Sequence, residues 1–483
     1  MKFAAPPGVF DILPHDEKEQ WRSVYLWQHV EKVVRQTAQD FGYLEIRTPI
    51  FERTELFQRG VGETSDIVMK EMYTFEDKGN RLMSLRPEGT APVMRAFIEN
   101  QMQTQGQIHK LYYIGPMFRY DRPQAGRYRQ HHQFGAEAIG PATPEQDAEL
   151  IDLLYTIYHR LGVKNLKIHI NCLGDTQCRL AYRDALQNYL RPHLEQLSHD
   201  SKRRFESNPL RILDSKDPND RALLSDAPLI LDFLNEENRD YFQALRSLLD
   251  SLGIHYIVDH NLVRGLDYYN QVVFEVLTGE LGAQNSIGGG GRYDGLLKLY
   301  GGPDFCSIGF GAGIERLIQV LLKQRIEIPK PIVPLLYLIP LGDAARPQVF
   351  KLTHELREMG ISVQMDFAHR KLNKALQYAN QINVPYTAVI GDEELASEEV
   401  SLKEMATGKT EKVPLKSLAK VLRIQTQEKD YMAMLKELEK PFENPKEALF
   451  FFNKIKETVF ETQKSTEALK QKVEDIKKWL QKD

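Results

Sequence analysis

Three cysteines in 483 residues, Cys172, Cys178 and Cys306, are too few and too scattered for a disulfide framework. Cys172 and Cys178 stand outside the usual zinc-knuckle spacing, and no second Cys/His pair accompanies them, so free thiols are expected. Long apolar runs are also missing. No stretch approaches the length of a membrane span, and the opening MKFAAPPGVFDILP lacks the apolar core of a signal peptide. A cytoplasmic chain with no membrane partner is expected. Excess positive charge is absent too: the formal charge of -4 argues against sequence-blind binding of DNA or other long nucleic acid, which needs a broad basic surface. Neither standard phosphate loop occurs. Gly309, Gly311 and Gly313 do not have the GxGxxG spacing, and there is no Gly-Lys-Ser/Thr run.

What is present describes a globular protein. Residues are 42% apolar and 27% charged, and the length is too great for one core, so two to four domains are expected. Asp16 and Glu19 predict a capped start for a helix carrying Trp27, Val30, Val34 and Ala38 on one face. Phe41 to Glu52 reads as a strand interrupted by Pro49, at an edge, a bulge or a crossing point. Arg81 to Ala91 reads as a second strand ending in a polar turn, where Glu88 and Thr90 flank Gly89. Such a place suits substrate-binding groups, although Glu88 could simply be a turn acid or a helix cap.

The stretch Tyr112 to Gly140, YYIGPMFRYDRPQAGRYRQHHQFGAEAIG, reads as two strands joined by a wide loop. Arg119, Arg122, Arg127 and Arg129, with His131 and His132, face the single acid Asp121. This loop is either an anion site or a solvated basic turn. After a helix at Glu145 to Leu161 and a strand at Leu166 to Asn171, the chain to about Leu252 is helical and polar, with NPLRILDSK as a break. Strand character returns at His255 to Gly279. Beyond the proline-bracketed linker KPIVP, strands and helices alternate as a small βαβαβ domain. From about Lys436 a four-three apolar spacing, from Phe452 to Leu480, predicts an amphipathic tail helix.

Some clusters carry chemistry. Arg264-Gly265-Leu266-Asp267-Tyr268-Tyr269 suits a pocket floor for a small polar ligand or an exposed strand edge. If it is a strand, the two tyrosines face opposite ways. Gly288 to Gly291, followed by Arg292, Tyr293 and Asp294, gives a close backbone approach. Ser307 to Leu322 passes from strand through a glycine turn to a helix, where Arg316 either meets a base or a phosphate or forms an exposed salt bridge with Glu315.

Together these pieces resemble the class II aminoacyl-tRNA synthetases and, within them, the histidyl-tRNA synthetases. GPMFRYDRPQAGRYRQ resembles the second signature motif of that class, GFGAGIER the third, and the Phe41 to Glu52 strand the first, dimer-forming one. RGLDYY and GGGRYDGL resemble signatures peculiar to the histidine enzymes, and LRPEGTA and NPLRILDSK also match. The resemblance runs from about Pro7 to Leu415 and implies an α+β fold. Residues 1–172 and 253–329 would form an antiparallel-sheet catalytic domain, 173–252 a helical insertion, 333–425 an α/β anticodon-binding domain, and 430–483 a helical extension.

It also implies activation of L-histidine with ATP, magnesium accompanying the nucleotide, and transfer to tRNA-His by a homodimer. Arg119 would bind the α-phosphate with Arg264 opposite, and Arg316 the adenine or the outer phosphates. Glu88, Gly89, Thr90 and Gln133 would surround the α-ammonium of histidine, and Glu137 with Tyr268 or Tyr269 its imidazole. Arg122, Gln124 and Arg127 would seat the acceptor end of the tRNA. His131 stands where this family usually has a phenylalanine against the adenine, and Ala125 where it often has a basic residue. A regulatory subunit that senses histidine on the same fold should lose the arginines and the second domain; Arg119, Arg264 and Arg316 are all kept. An RNA-holding module should alter the amino-acid pocket, whereas Glu88, Gln133, Glu137 and Tyr269 are kept.

Overall fold

The structure, a computed structural model, describes residues 3–426 except 63, 64, 66, 122–126, 282–284, 330 and 332. The tail predicted beyond Lys436, and Arg122, Gln124 and Ala125 in the hairpin loop, lie outside the described residues. The chain divides into two compact units at Lys330–Pro331, within the proline-bracketed segment.

The first unit is built on an eight-stranded sheet. Its order is Leu44–Glu45, His109–Phe118, Gln130–Gly140, Cys306–Gly313, Ser286–Arg292, Asn270–Leu277, Lys167–Cys172 and Tyr256–Val258. The inner pairs are antiparallel and the two outermost are parallel. Side chains alternate across a strand, so each strand serves two faces. Phe134, Ala136 and Ala138 on one strand, with Ile308, Phe310 and Ala312 on its neighbour, join a core with Leu26, Val30 and Val34 of helix Val24–Asp40 and Leu150, Leu154 and Ile157 of helix Pro144–Arg160. The opposite face presents Gln133 and Glu137, with Gly309, Gly311 and Gly313 in register beside them.

Several local expectations are corrected. The first helix begins at Val24; Asp16 instead accepts from the backbone N–H groups of Lys18 and Glu19 and closes a separate turn. Phe41 to Glu52 is not one strand. Leu44–Glu45 joins the large sheet, and Phe51–Arg53 joins a three-stranded sheet with Leu82–Leu85 and Thr74–Glu76. Pro49 falls in the crossing between them, where no ladder N–H is needed. The strand from Arg81 stops at Leu85, and Thr90 opens helix Thr90–Glu99. The glycines at 309–313, read as a turn, lie inside a strand, and those at 288–291 lie inside its neighbour. A Cβ at Gly309 would stand 1.7 Å from Glu137 Oε2, so only glycine keeps that strand flat beneath the carboxyl group.

The helical stretch after Leu173 is shared between two cores. Helices Thr176–Leu190 and His199–Ser207 pack on the face that carries Glu137, whereas Phe242, Leu245 and Leu249 of helix Glu236–Ser251 join the core on the other face.

The second unit has a five-stranded sheet in the order Val363–Met365, Leu336–Pro340, Tyr386–Ile390, Glu399–Glu404 and Thr410–Pro414. The first three are parallel, the arrangement a βαβαβ run requires, with helices Arg346–Glu358 and Leu372–Gln381 as crossovers. The final antiparallel hairpin escaped the sequence reading, because its exposed face carries Glu399, Ser401 and Lys403 and its apolar signal is thin.

Candidate active site

A cavity of about 320 Å³ opens over the glycine face of the large sheet. Arg119 and Arg127 of the hairpin, Arg264 of the RGLDYY turn and Arg316 of the last helix reach it, with His131, Gln133 and Tyr269 between them and Gly288, Gly289, Gly311 and Gly313 as floor. Arg119 follows the end of strand His109–Phe118, and its Nε donates to Pro87 O at 2.8 Å. That bond fixes the guanidinium on the segment that carries Glu88. Arg264 donates to Glu275 Oε1 at 3.1 Å, while its Nε has no hydrogen-bond partner. A Cβ at Gly289 would fall 2.8 Å from the Arg264 guanidinium, so the glycine makes room for the cation. Arg316 donates to Ser286 O at 2.8 Å.

The positive charge is only partly offset: Arg264 pairs with Glu275 and Arg127 with Asp121. Burial, then nearby Arg127, pushes the Arg316 pKa down, and Arg119 adds to the effect. His131 is pushed down to about 3 by burial, then by Arg119, His132 and Arg316, so its imidazole is neutral at pH 7. Arginines held near one another in a partly dry cavity, with a neutral ring beside them, favour a polyanion attached to an aromatic base.

The basic cluster of the hairpin is therefore split. Arg127 faces the cavity and pairs with Asp121 at 3.1 Å. Arg129 turns away, lying 4.0 Å from the centre of the Tyr120 ring, and packs on Gly8. His132, on the other face of its strand, bonds Glu315 through both its backbone N–H and its ring, and packs against Trp27. Glu315 is buried there, so the exposed Glu315–Arg316 salt bridge considered from sequence is replaced by two separate roles.

Glu88, Thr90, Glu137 and Tyr268 do not line the large cavity; Glu88, Thr90 and Glu137 form a buried layer on the same face of the sheet, with Tyr268 half-buried beside it. Glu88 accepts from the backbone of Thr90 at 2.6 Å and of Ala91 at 2.9 Å, so it caps helix Thr90–Glu99 with a carboxylate. Thr90 Oγ1 donates to Glu137 Oε1 at 2.8 Å, and the Tyr293 hydroxyl donates to Oε2. Gly89 leaves room for the Tyr113 ring. Burial raises the Glu137 pKa to about 8 against the pull of its bonds from Tyr293 and Thr90. Tyr293 and Tyr113 were not among the residues singled out for this group, because a tyrosine inside a strand signals core as readily as ligand.

RGLDYY is a turn, not a strand, and both tyrosines turn inward, with ring centroids 4.7 Å apart. Asp267 anchors it, accepting from Asn208 Nδ2 at 2.9 Å. Arg292, by contrast, is wholly buried and binds Asp147 at 2.5 Å and Asp294 at 3.1 Å, tying the glycine strand to helix Pro144–Arg160. It is a structural tie.

An antiparallel sheet whose polar face gathers arginines from the hairpin, the RGLDYY turn and the last helix defines a class II aminoacyl-tRNA synthetase. A family model described as histidyl-tRNA synthetase matches residues 8–317, and one described as anticodon binding domain matches residues 336–425. The chain is 63% identical over 423 residues to a histidine–tRNA ligase of Protochlamydia amoebophila, spanning 88% of this chain and 100% of that protein. It is 46% identical over 419 residues to one of Caldanaerobacter subterraneus, spanning 87% and 99%. The crystal structure of apo S. aureus histidyl-tRNA synthetase is similar with a TM-score of 0.74 at 38% identity, over 87% of this chain and 100% of that one. The chain belongs to the histidyl-tRNA synthetase family.

Proposed function

We propose that the cavity and the buried layer behind it perform the two steps of histidine–tRNA ligation, with the residues in the roles given below. The chain is an ATP-dependent aminoacyl-tRNA ligase for histidine: it activates L-histidine to histidyl-adenylate, releasing diphosphate, and transfers it to tRNA-His, releasing AMP. One observation supports the assignment of roles above others: Arg119, Arg264 and Arg316 come from separate elements onto one cavity.

In this reading Arg119 and Arg264 flank the α-phosphate. The carboxylate of histidine is already an anion, so its attack on phosphorus needs no general base; what it needs is positive charge where negative charge grows. Arg316 and His131 hold the adenine end and the outer phosphates. Gln133 and Glu88, beside Gly89 and Thr90, take the α-ammonium, and Glu137 with Tyr268 or Tyr269 takes the imidazole. A carboxyl group and a phenol suit a ring with a nitrogen at each end, and a site built for those bonds rejects apolar isosteres strongly. Arg122, Gln124 and Arg127 guide the acceptor end of the tRNA. Residues 333–425 hold its anticodon, where Lys371 and Lys374 offer charge to phosphates.

Magnesium comes with ATP and offsets charge on its phosphates; among the described residues no group of three His, Cys, Asp or Glu side chains is placed to hold a metal. A homodimer formed through the Phe41 to Glu52 region accords with the apolar face there, where Phe51, Phe75 and Leu82 are 51%, 43% and 60% exposed. Among the described residues no helix is long and apolar enough to cross a membrane; a cytoplasmic location is part of the same proposal. ATP–pyrophosphate exchange across the standard amino acids, without tRNA, tests the reading. Exchange with histidine alone is expected; measurable histidine binding with no exchange would favour a regulatory subunit.

A further inference from the structure

The RGLDYY turn lies between strands Tyr256–Val258 and Asn270–Leu277, in a run that belongs to no strand or helix, so its precision is set by what ties it down. Two ties come from the helical segment after Leu173. Arg179 of helix Thr176–Leu190 donates to Tyr269 O at 3.3 Å, where the turn ends. Asn208, in the NPLRILDSK break, donates through Nδ2 to Asp267 Oδ1 at 2.9 Å. A carboxylate only accepts, which sets the amide nitrogen toward it. Asn208 is itself fixed. Its backbone N–H donates to Arg204 O at 2.8 Å, closing helix His199–Ser207, and its carbonyl accepts from Arg211 N at 3.1 Å, opening the short helix Pro209–Ile212. On its other side Asp267 N donates to Val61 O at 3.3 Å, and a Cβ at Gly62 would stand 2.3 Å from Asp267 Oδ2. The acid is therefore wedged between the end of helix Thr54–Val61 and the helical segment.

We propose that Asn208 is a positioning residue for histidine activation: by holding Asp267 it sets the turn, and the turn sets Arg264 in the main cavity. The proposal deepens the function given above and rests on the role of Arg264 in it. A cation that meets growing charge must stand within about half an ångström of its place, and a displacement of about 1 Å can cost roughly a hundredfold in rate. Among the described residues none of 173–252 lines the main cavity, so the helical segment enters the activation step through this bond and not by touching the reactants.

Single-turnover adenylate formation at saturating ATP and histidine, without tRNA, tests it on the full chain, on Asn208→Ala, on Arg264→Ala and on the double variant. Asn208→Ala should be about tenfold slower than wild type, and the double variant no slower than Arg264→Ala, because a residue acting through Arg264 then has nothing left to position. A merely structural role would lower the active fraction alike in both backgrounds. An equal loss in both, or a wild-type rate for Asn208→Ala, would overturn the proposal. Asn208→Asp keeps the size but sets a second carboxylate against Asp267; it should lose at least as much as Asn208→Ala, and it carries the same comparison if Asn208→Ala does not fold. A wild-type rate for Asn208→Asp would likewise overturn the proposal. A near-normal rate for Arg264→Ala alone would overturn the role of that arginine, and this proposal with it, by a result read without touching Asn208.

Discussion

Glu137 concentrates the chemistry of the amino-acid pocket in one proton. Its ordinary pKa of 4.5 is raised to about 8 by burial, so at neutral pH the folded chain keeps a proton that the unfolded chain releases. The stability linked to that proton is fully present below about pH 4.5 and is lost as pH rises through about 8. Glu137→Gln keeps the shape and the neutrality but cannot ionise. Thermal melts should show the variant gaining on the wild type as pH rises from about 5 to about 8, by on the order of a few kcal/mol, while histidine-dependent exchange falls sharply. A constant gap between the two melts would mean that Glu137 is ionised in the folded chain. At Arg264 the expected loss is kinetic. Arg264→Ala should slow adenylate formation by about a hundredfold or more while histidine binding, followed by calorimetry, persists. Near-normal exchange would remove Arg264 from the reaction.

Among the elements, the glycine strand Ser286–Arg292 shows how a motif can serve two ends. Its glycines floor the cavity, while Arg292 ends it in a buried ion pair with Asp147 of a helix behind the sheet. Removing one partner strands the other charge in the core, so Arg292→Ala should cost roughly 3–5 kcal/mol in urea unfolding. A loss below about 1 kcal/mol would show that water reaches the pair.

Elements of this kind also mark the limit of what the sequence disclosed. The hairpin around Arg119 was legible because two strand signals bracket a dense basic loop, and RGLDYY stood out by composition. Glycines 309 to 313 were read as a turn, since a glycine run is punctuation in most chains; here the crowding carboxyl group of Glu137 comes from the neighbouring strand, which no local pattern reveals. Tyr293 was invisible as a partner of Glu137 for the same reason: the contact joins positions 156 residues apart. The Phe41 to Glu52 stretch misled because one run of β-branched and aromatic residues feeds two sheets.

For the whole molecule, each unit carries its own core. Leu336, Leu338, Tyr386 and Ala388 close the second without help from the first. Residues 1–330 expressed alone should therefore fold and exchange pyrophosphate with histidine at a rate within about tenfold of the full chain, while tRNA charging falls far more. If the fragment is unfolded by circular dichroism, the two cores are not independent.

The floor of the main cavity has a consequence for anyone designing a molecule to block it. Gly288, Gly289, Gly311 and Gly313 offer backbone alone, and a side chain added at Gly289 would strike Phe274 O at 2.7 Å as well as Arg264. A blocker resting against Gly288 and Gly289 would meet a surface with little freedom to mutate into resistance, whereas at Gly313 an added side chain would enter open space. The floor also has little to distinguish it from any other protein sharing the same glycines. Selectivity would have to be won at the rim, where His131 presents an imidazole.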